Sequence, residues 1–474
     1  MFNINWLANN KQLFSINNQS IIDQQFLADV EQYRLKVKRF IASTPLNISN
    51  EHSNEHSNKG QSIARSRVIL FHPCVYQFAV RLFALALENI TIILPANGQL
   101  KTLEGLFANA DAIAGEYQTA FEFTSIENYN QSPNRIKSTA ITPSNNIEWP
   151  TKGTLIFSTS GSSGEPKLVE KSWHQINTEL ATLSATFSLK GDNVFLATVS
   201  HQHIYGLLFR LLWPLSKKAT IEDTIEYPEH GIRVLAKNTA VVLISSPAFL
   251  KRLAQDNVFI DYKSNLSRVF SSGGPLADAD AITLYQQFSQ GVVQVYGSTE
   301  TGGIGYRSVT RLPAVSWQTF AGIHLTIEAD TQRFCLQSPY INEVKLLLDD
   351  KGELNNNGGF SLLGRVDRTI KLEEKRLNLD DLEQHLLRSL YVSECRVMVL
   401  NDARSTLVAV VCLNESGVAL KSSLTAFAFN QQLKQHLLER FERVCLPRKW
   451  RYLDQLPYNS QGKLNHSALG ALFE

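Results

Sequence analysis

The sequence predicts an α/β protein with a large N-terminal domain over residues 1–366 and a small α+β domain over residues 367–474. Three observations support this prediction. Strand-like and helix-like apolar patterns alternate to about residue 310, as they do where helices connect the strands of a sheet. Residues 311–366 are richer in strand patterns, which predicts a β-rich subdomain. A chain of 474 residues is also long enough for about two to four structural units.

The first elements follow from apolar spacing. A helix is predicted near the N-terminus from apolar residues at helical intervals, namely Ile21, Phe26, Val30 and Leu35. A polar tandem tetrapeptide follows at residues 51–58, and its composition predicts a surface insertion rather than a histidine metal site. Strand patterns at 68–71 and 90–94 flank an apolar helical run at 76–87, which together predict a βαβ unit.

The most informative segment is the loop after the strand pattern at 154–157. It consists almost entirely of Ser, Thr and Gly and is followed by Pro166 and Lys167. Backbone N–H groups, hydroxyls and one ammonium are suited to the oxygens of an oligophosphate. The order of its glycines and lysine differs from the Walker loop. An isolated loop of this kind is equally typical of a flexible hairpin turn, so its interpretation depends on other segments.

Local patterns also predict how this loop is connected. Leu168 and Val169 are strand-like, so we expect the loop to join two strands. The next helix is predicted to begin at the capping box Ser172-x-x-Gln175. Its apolar face is predicted to contain Ile176, Leu180, Leu183 and Phe187.

A second polar segment follows a predicted buried strand that ends at Gly297. Ser298, Thr299 and Glu300 come directly after it, at the strand end where open α/β sheets bind ligands. Glu300 is a candidate Mg²⁺ ligand, because hard cations that are bound with phosphates take one or two carboxylates. The alternative is a glutamate on a solvated turn.

Two further segments lie nearer the C-terminus. Residues 364–371 read GRVDRTIK and follow Asp350, and residues 456–463 read LPYNSQGK and present Lys463 after a glycine. Taken singly, they would be a polar hairpin and an exposed tail. The small domain also shows leucines at helical spacing (Leu379, Leu382, Leu386 and Leu390) and strand patterns at 396–400 and 407–413.

In this order and at these separations, the four segments resemble those of the acyl-adenylate-forming superfamily. That superfamily comprises acyl- and aryl-CoA synthetases, nonribosomal adenylation domains and luciferases. The resemblance runs from about residue 154 to residue 469. It implies stacked α/β subdomains in the large domain and a mobile C-terminal domain. TSGSSGEPK resembles the phosphate loop, YGSTE the nucleotide and magnesium motif, GRVDRTIK the hinge and NSQGK the catalytic lysine loop.

The resemblance implies roles for individual residues. Lys463, Glu300 and Lys167 would be catalytic, with Glu300 also holding Mg²⁺. The residues that would bind ATP are Thr159, Ser160, Gly161, Ser162, Ser163, Gly164, Lys167, Gly273, Gly274, Pro275, Tyr296, Gly297, Ser298, Thr299, Asp350 and Arg365. The substrate pocket would include His203, Ser246, Gly302 and Gly303. Asp367 would be the hinge, and Lys371 would serve the second half-reaction.

Three positions depart from the family pattern. Leu168 stands where a glycine is usual. The ribose-binding carboxylate falls on Asp350, with Asp349 as the alternative. Glu374 occupies a position where the family has a glycine that leaves room for a pantetheine arm. This last departure puts the usual thiol tunnel in doubt or marks a subgroup with a different acceptor surface.

The reaction implied by the resemblance is ATP-dependent activation of a carboxylic acid to acyl-AMP, with release of pyrophosphate. The acyl group would then pass to the phosphopantetheine thiol of an acyl carrier protein or of CoA. No aspartate lies in the pocket segment 198–206 to pair with an α-ammonium, which favours a plain aryl or fatty acid. The remaining features look most like ligases of aryl-polyene or fatty-acid-type biosynthesis. Two alternatives are an adenylating enzyme with an amine acceptor and a non-catalytic acyl-nucleotide binding protein.

Composition and charge restrict the classes of partner and the kinds of site that the sequence indicates. A net charge of +2 is too small to indicate nucleic-acid binding. The five cysteines have no metal-ligand or disulfide spacing, and Cys412 is predicted to be a core residue. Cysteines scattered in this way favour a reducing compartment, so a cytoplasmic enzyme is expected. No signal peptide and no membrane-spanning run is apparent. A locally basic strip, formed by Lys434, Arg440, Arg443, Arg448, Lys449 and Arg451, would suit an acidic carrier protein or be a solvated face.

Overall fold

The computed structural model describes residues 10–43, 66–117, 123–129, 148–160, 166–189, 192–224, 228–355, 358–366, 368–372, 375–400, 406–459 and 464–474. These residues form two compact units. The first unit contains residues 1–315, 320–322 and 338–342, and the second contains 316–319, 323–337 and 343–474. The predicted domain boundary after residue 366 stays a prediction. The tandem tetrapeptide lies outside the described residues.

Two sheets form the framework of the first unit. The strands are β1 (Gln12–Ile16), β2 (Gln19–Ile22), β3 (Arg67–Phe71), β4 (Thr91–Leu94), β5 (Ala112–Gly115), β6 (Thr154–Ser160), β7 (Pro166–Ser172), β8 (Val194–Ala197), β9 (Thr220–Thr224), β10 (Val241–Ser245), β11 (Leu266–Ser271), β12 (Val292–Ser298) and β13 (Gly302–Ser308). One sheet has the order β5-β3-β4-β6-β7. In the other, the strands follow the order β13-β12-β11-β10-β8-β9-β1-β2.

Helices cover these sheets. They are α1 (Asp23–Ser43), α2 (Val75–Leu87), α3 (Leu100–Glu104), α4 (Trp173–Phe187), α5 (Ile204–Gly206), α6 (Trp213–Ser216), α7 (Glu229–Lys237), α8 (Pro247–Asp256) and α9 (Asp278–Phe288), with a π-helical turn at Leu207–Leu212. The predicted βαβ unit is confirmed: β3 and β4 pair in parallel, with α2 between them in the chain. Apolar residues of α8, α9 and strands β8, β10, β11 and β12 form one continuous core.

The N-terminal helix differs from its prediction. Ile21 lies on β2 rather than on a helix, and Leu35 is exposed, whereas Phe26 and Val30 are buried as expected. The helix begins only at Asp23, because β1 and β2 first form a hairpin. Asn17 at the tip of this hairpin has a φ of 51° and Asn18 a φ of 62°. Asparagine tolerates this left-handed conformation better than most residues.

The second unit joins a β-rich part to a small α+β part. Its strands are β14 (Trp317–Thr319), β15 (His324–Ile327), β16 (Arg333–Gln337), β17 (Leu346–Leu354), β18 (Gly359–Arg365), β19 (Thr369–Leu372), β20 (Lys375–Asn378), β21 (Val392–Leu400), β22 (Thr406–Leu413) and β23 (Lys449–Leu453). Its helices are α10 (Leu379–Leu387), α11 (Glu415–Ser423), α12 (Ala426–Leu438) and α13 (His466–Ala471). The predicted α/β fold class, with a β-rich part and a small α+β part, is confirmed.

Packing in the small α+β part follows its leucine pattern with one exception. Leu379, Leu382 and Leu386 are buried on α10, and Cys412 on β22 is a buried core residue, as predicted. Leu390 lies beyond the end of α10 and is largely exposed, so its predicted place on the helix face is wrong. The helix ends at Leu387, and the chain turns there into β21. No helix among the described segments is long and apolar enough to span a bilayer.

Candidate active site

The predicted phosphate loop lies at the tip of a regular hairpin. Strands β6 and β7 pair antiparallel from Thr154↔Ser172 to Ser160↔Pro166, so the loop joins two strands as predicted. The Thr159 hydroxyl also donates to the carbonyl of Lys167 at 3.2 Å, which links the two strands next to the loop. Gly161, Ser162, Ser163 and Gly164 lie outside the described residues, as does the side chain of Ser160.

The helix that follows the hairpin begins where the sequence predicts. Ser172 caps α4, and both hydrogen bonds of the capping box with Gln175 are present. The predicted apolar face is buried, comprising Ile176, Leu180, Leu183 and Phe187. Because the cap fixes the direction in which α4 leaves β7, it also helps to set the position of Glu179 on this helix.

A short turn between β12 and β13 carries the second candidate motif. We call residues 299–301 the Glu300 turn. The backbone N–H of Ser298 donates to Thr301 Oγ1 at 2.9 Å, and the backbone N–H of Thr301 donates to Ser298 Oγ at 3.3 Å. The buried Thr301 hydroxyl also donates to the Gly302 carbonyl at 2.8 Å. These local bonds fix the turn and leave the side chain of Glu300 partly exposed to solvent.

The hairpin and the Glu300 turn meet through an ion pair. Lys167 Nζ lies 3.0 Å from Glu300 Oε1, although the two residues are 133 positions apart. Burial by itself would raise the pKa of the Glu300 carboxyl. Hydrogen bonds from its own backbone N–H and from Lys167 outweigh that effect and lower the pKa below its ordinary value. An ionised carboxylate beside a flexible ammonium is a donor set that suits Mg²⁺ and phosphate together.

Two buried charged residues support the same turn, and sequence reasoning missed both. Lys171 Nζ donates to the carbonyl of Glu300 at 2.6 Å and to that of Tyr340 at 2.7 Å. Glu179, on α4, accepts the backbone N–H of Gly303 at 2.7 Å. A Cβ on Gly302 would lie 2.8 Å from Glu179 Oε2, so this position has no room for a side chain. Charged residues at these strand and helix positions were the only sequence signal.

The strands beside β12 bring further candidates to the same edge of the sheet. Strands β8, β10, β11 and β12 run parallel, so their carboxyl ends lie together. Ser272, at the end of β11, donates to the carbonyl of Val295 at 2.9 Å, and Gly273, Gly274 and Pro275 follow it. Gly273 has a φ of 90°, and a Cβ there would meet open space. Tyr296 and Gly297 lie on β12 itself.

The predicted acyl-pocket residues follow β8 and β10. His203 is the half-buried N-cap of the short helix α5. Ser246 caps α8 by accepting the backbone N–H of Phe249 at 3.4 Å, so its hydroxyl already has a structural role. His201, left unassigned by the sequence, is fully buried and its Nε2 donates to the carbonyl of His72 at 2.9 Å. Burial lowers the pKa of His201 well below its ordinary value, so the ring is neutral.

The remaining ATP-binding candidates lie in the second unit. Asp350 on β17 and Arg365 on β18 are register partners, with Arg365 Nη1 at 3.5 Å from Asp350 Oδ2. Asp349 is also near Arg365, but its Oδ1 lies 2.8 Å from Arg333 Nη2. Both carboxylates are thus paired with arginines, and the choice of Asp350 over Asp349 as the ribose ligand stays a prediction.

The predicted hinge is anchored on both sides. The backbone N–H of Val366 donates to the carbonyl of Asp349 at 2.7 Å. On the other side, the guanidinium of Arg368 donates to Asp380 Oδ1 at 2.9 Å and to the carbonyl of Val397 at 3.0 Å, and it also pairs with Glu383. Asp367, between these anchors, lies outside the described residues, as do Glu374, Lys463 and the side chain of Lys371. The backbone of Lys371 lies on β19.

Comparison with known proteins identifies the family. Residues 89–353, more than half of the chain, match the family of AMP-binding enzymes. The chain belongs to this family. It is 24% identical to the 4-chlorobenzoate–CoA ligase of Arthrobacter sp, over 69% of this chain and 67% of that protein. It is 26% identical to the D-alanine–D-alanyl carrier protein ligase of Listeria innocua serovar 6a, over 67% of this chain and 69% of that protein.

The fold of this AMP-binding enzyme also has solved counterparts. ATP-bound MatB from Rhodopseudomonas palustris superposes with a TM-score of 0.76 at 15% sequence identity, covering 98% of this chain and 96% of that one. With the family match and the curated relatives, this likeness places the chain in the acyl-adenylate-forming superfamily. The assignments of individual site residues stay predictions.

Proposed function

We propose that this AMP-binding enzyme joins a carboxylic acid to the α-phosphate of ATP, and then transfers the acyl group to a phosphopantetheine thiol. In the first step the carboxylate oxygen attacks the α-phosphorus and pyrophosphate leaves. In the second step the thiol sulfur attacks the acyl carbon, AMP leaves, and the thiol proton is released. The observation that carries this proposal is the Lys167–Glu300 pair, which lies where the phosphate-loop hairpin meets the carboxyl end of β12.

Charge neutralisation is the main demand of the first step, because an anion must approach a polyanion. Lys167 and the hydroxyl of Thr159 lie at the described end of the loop that would hold the phosphates. Preorganised donors aimed at developing charge are typically worth about 2.7–4 kcal/mol each in a transition state. Lys463, brought near by the C-terminal domain, would add a second ammonium. No protein nucleophile is required for this chemistry.

Glu300 is the residue that would hold Mg²⁺. Its carboxylate is partly exposed and its lowered pKa keeps it ionised, so it fits a hard cation shared with phosphate oxygens. When bound, Mg²⁺ supplies positive charge between the phosphates. Asp350 would accept hydrogen bonds from the ribose hydroxyls, with Arg365 beside it.

The second half-reaction is expected to use different side chains at the site from those that serve the first. We propose that rotation about Asp367 withdraws Lys463 and brings the β19–β20 hairpin with Lys371 into use. The bonds of Val366 and Arg368 lie on either side of this residue, whereas the hydrogen bond from the backbone N–H of Arg365 to Asp380 Oδ2 at 3.2 Å spans it and would break in such a rotation. Glu374 in this hairpin replaces the usual glycine, which keeps an amine acceptor as the nearest alternative to a thiol.

The acceptor is proposed to be an acyl carrier protein, with CoA as the alternative. Curated relatives include ligases named for each acceptor. In the basic strip, Arg440 is paired with Asp381, and Arg451 donates to the carbonyl of Leu472. Arg448 and Lys449 are exposed and can meet the acidic surface of a carrier.

Charge reversal tests this docking surface. The variant Arg448→Glu/Lys449→Glu should slow acyl transfer to a carrier protein several-fold while leaving pyrophosphate release and transfer to CoA unchanged. The matched control is Arg233→Glu/Lys237→Glu, which reverses two exposed basic residues on α7. Equal transfer rates in both variants would remove the docking proposal.

A panel of aryl and fatty acids tests the function itself. Pyrophosphate release is measured with Mg-ATP, with CoA, holo-carrier protein or a primary amine each present or absent. Acid-dependent pyrophosphate release together with a thioester on CoA or the carrier protein supports the proposal. Formation of an amide and no thioester would show that the acceptor is an amine and not a thiol. Lys463→Ala should abolish release while ATP binding persists. Saturable ATP binding without release under any condition would favour a non-catalytic acyl-nucleotide binding protein.

A further inference from the structure

Strand β7 presents two lysines to the same residue. Lys167 and Lys171 are four positions apart, so their side chains leave the strand on the same face. Lys167 reaches the carboxylate of Glu300, and Lys171 reaches the carbonyl of Glu300. About 13 Å of strand separates the two lysines. Glu300 is therefore held at its carboxylate by one lysine and at its carbonyl by the other.

The two lysines differ in environment. The side chain of Lys167 is 60% exposed, whereas the whole of Lys171 is 2% exposed. An ammonium in that position needs several acceptors, and Lys171 finds the carbonyls of Glu300 and Tyr340. A buried polar group of this kind is costly unless its partners stay in place. Lys171 thus fixes the backbone of the turn, while Lys167 is free to move with solvent.

Glu179 completes the arrangement from the other side of the turn. Its carboxyl accepts the backbone N–H of Gly303, three residues after Glu300. Burial raises the pKa of this carboxyl, and the Gly303 N–H and the positive charge of Lys171 act in the opposite direction. Gly302 is pressed between Glu179 and Tyr340, where only a glycine fits. The buried Lys171 therefore holds the carbonyl of Glu300 within the turn, and the buried carboxyl of Glu179 holds the N–H of Gly303 just after the turn.

We propose that Lys171, with Glu179, is a positioning residue that sets the place of the Glu300 carboxylate for Mg²⁺ and the phosphates. This inference rests on the proposed function, but it concerns a residue that contacts neither substrate nor metal. It predicts that Lys171 and Glu179 affect the Mg²⁺ concentration that the enzyme requires and do not affect its binding of the acid. Groups that orient a metal ligand typically change metal affinity or activity by about 10–100-fold when they are removed.

The test replaces both charges at once. Lys171→Met alone removes the donor from two carbonyls and the nearby positive charge from Glu179, which keeps the N–H of Gly303, and the variant is expected to unfold easily. The double variant Lys171→Met/Glu179→Gln removes both charges and conserves most of the volume. Its Mg²⁺ concentration for half-maximal ATP–pyrophosphate exchange should rise about 10-fold or more, with the KM for the acid unchanged. Leu180→Ala, on the same helix, is the control: it lowers the melting temperature without shifting the Mg²⁺ dependence.

A double-mutant cycle with Glu300→Gln separates positioning from general damage. If Lys171 and Glu179 act through Glu300, replacing both in the Glu300→Gln background should reduce ATP–pyrophosphate exchange by less than about a further threefold, because the effects of coupled residues are non-additive. A full, additive loss would overturn the proposal, as would an unchanged Mg²⁺ dependence in a folded double variant. Restoring a donor with Lys171→Gln/Glu179→Gln should recover part of the effect, and no recovery in that folded variant counts against positioning.

A binding measurement keeps this inference distinct from the proposed function. Calorimetric titration of ATP at several Mg²⁺ concentrations reports the site without turnover. A shift of Mg²⁺-dependent ATP binding to higher Mg²⁺ concentration in the double variant supports positioning even if no acid is ever activated. Normal acid activation by the wild type, together with identical Mg²⁺-dependent ATP binding in both proteins, would refute the positioning role alone.

Discussion

Replacement of Lys167 by Met separates the catalytic contribution of this lysine from its structural one. The side chain of Lys167 is 60% exposed and that of Glu300 is 36% exposed. An ion pair so open to solvent contributes at most about 1 kcal/mol to the free energy of unfolding. Methionine also retains the aliphatic stem. The variant should therefore unfold within about 1 kcal/mol of the wild type.

The same substitution should have a much larger effect on the first half-reaction. If the ammonium neutralises charge on the phosphates in the transition state, its loss should reduce acid-dependent ATP–pyrophosphate exchange by about 10²–10³-fold, or about 2.7–4 kcal/mol. The free energy of activation would then change by roughly three times as much as the free energy of unfolding. Glu300 remains in place, because the carbonyl of the turn is held independently by Lys171.

Urea denaturation measures the stability term, and the exchange rate at saturating Mg-ATP measures the catalytic one. Lys152→Met, which removes an exposed lysine just before β6, is the matched control and should leave both quantities unchanged. Lys167→Arg should retain part of the rate, since it keeps the charge. If Lys167→Met reduced the exchange rate by less than about tenfold, or only in proportion to its loss of free energy of unfolding, the reasoning about Lys167 would be refuted.

Three further predictions concern the turn and the hinge. Gly302→Ala places a side chain at a φ of 69°, 2.8 Å from Glu179 Oε2, and should lower the free energy of unfolding by about 1–3 kcal/mol. Gly273→Ala, at a φ of 90° in open space, should lose less in the same urea titration, and equal losses would contradict the steric argument. The pKa of Glu300 is lowered, so its stabilising effect is present above its unfolded value of about 4.3 and is lost only as the pH falls through the lower folded value. The stability difference between wild type and Glu300→Gln, followed from about pH 7 to pH 3, should therefore persist at pH 5; its disappearance there would oppose the assignment. Asp367→Pro, compared with Asp367→Ala, fixes φ and should keep pyrophosphate exchange but slow thioester formation at least about tenfold; equal thioester rates in the two variants would remove the hinge at this residue.

Local rules in the sequence were sufficient for the frame of the site. The capping box at Ser172 and Gln175 depends only on residues three apart, and it is present with both of its bonds. The change from a strand pattern to a polar turn near Gly297 also has a local cause, and it places Glu300 at a strand end. Such features are predictable because the interacting groups are neighbours in the chain.

The support beneath the site could not be predicted in the same way. Lys171 bonds to residues that are 129 and 169 positions away, and no local pattern links them. A lysine on a strand and a glutamate on a helix normally indicate solvent-facing positions. Only the tertiary fold, which brings β7, α4 and the Glu300 turn together, shows that both charges are buried and paired with backbone groups.

The N-terminal hairpin was not predicted from the sequence, for a related reason. Strand β1 pairs in parallel with β9, where Phe14 is opposite Ile221. A short strand stabilised by a partner so distant in sequence gives little signal of its own. The helical spacing that included Ile21 then extended the predicted helix too far. The two asparagines at the turn were the available sign, since adjacent residues that tolerate positive φ are typical of tight hairpins.

The difference between the two lysines of β7 has a consequence for how ATP would be received. Exchange of partner costs little for Lys167, because its pair with Glu300 is open to water and contributes at most about 1 kcal/mol. The same exchange is strongly unfavourable for Lys171, since its two carbonyl partners are buried and would lose their donor. Arrival of the phosphates would therefore move the ammonium of Lys167 from the carboxylate to the phosphate oxygens and leave the Glu300 turn in place. The carboxylate released in this way would become available to Mg²⁺ while the Glu300 carbonyl keeps its bond to Lys171, so one strand would supply both the group that moves and the group that stays fixed.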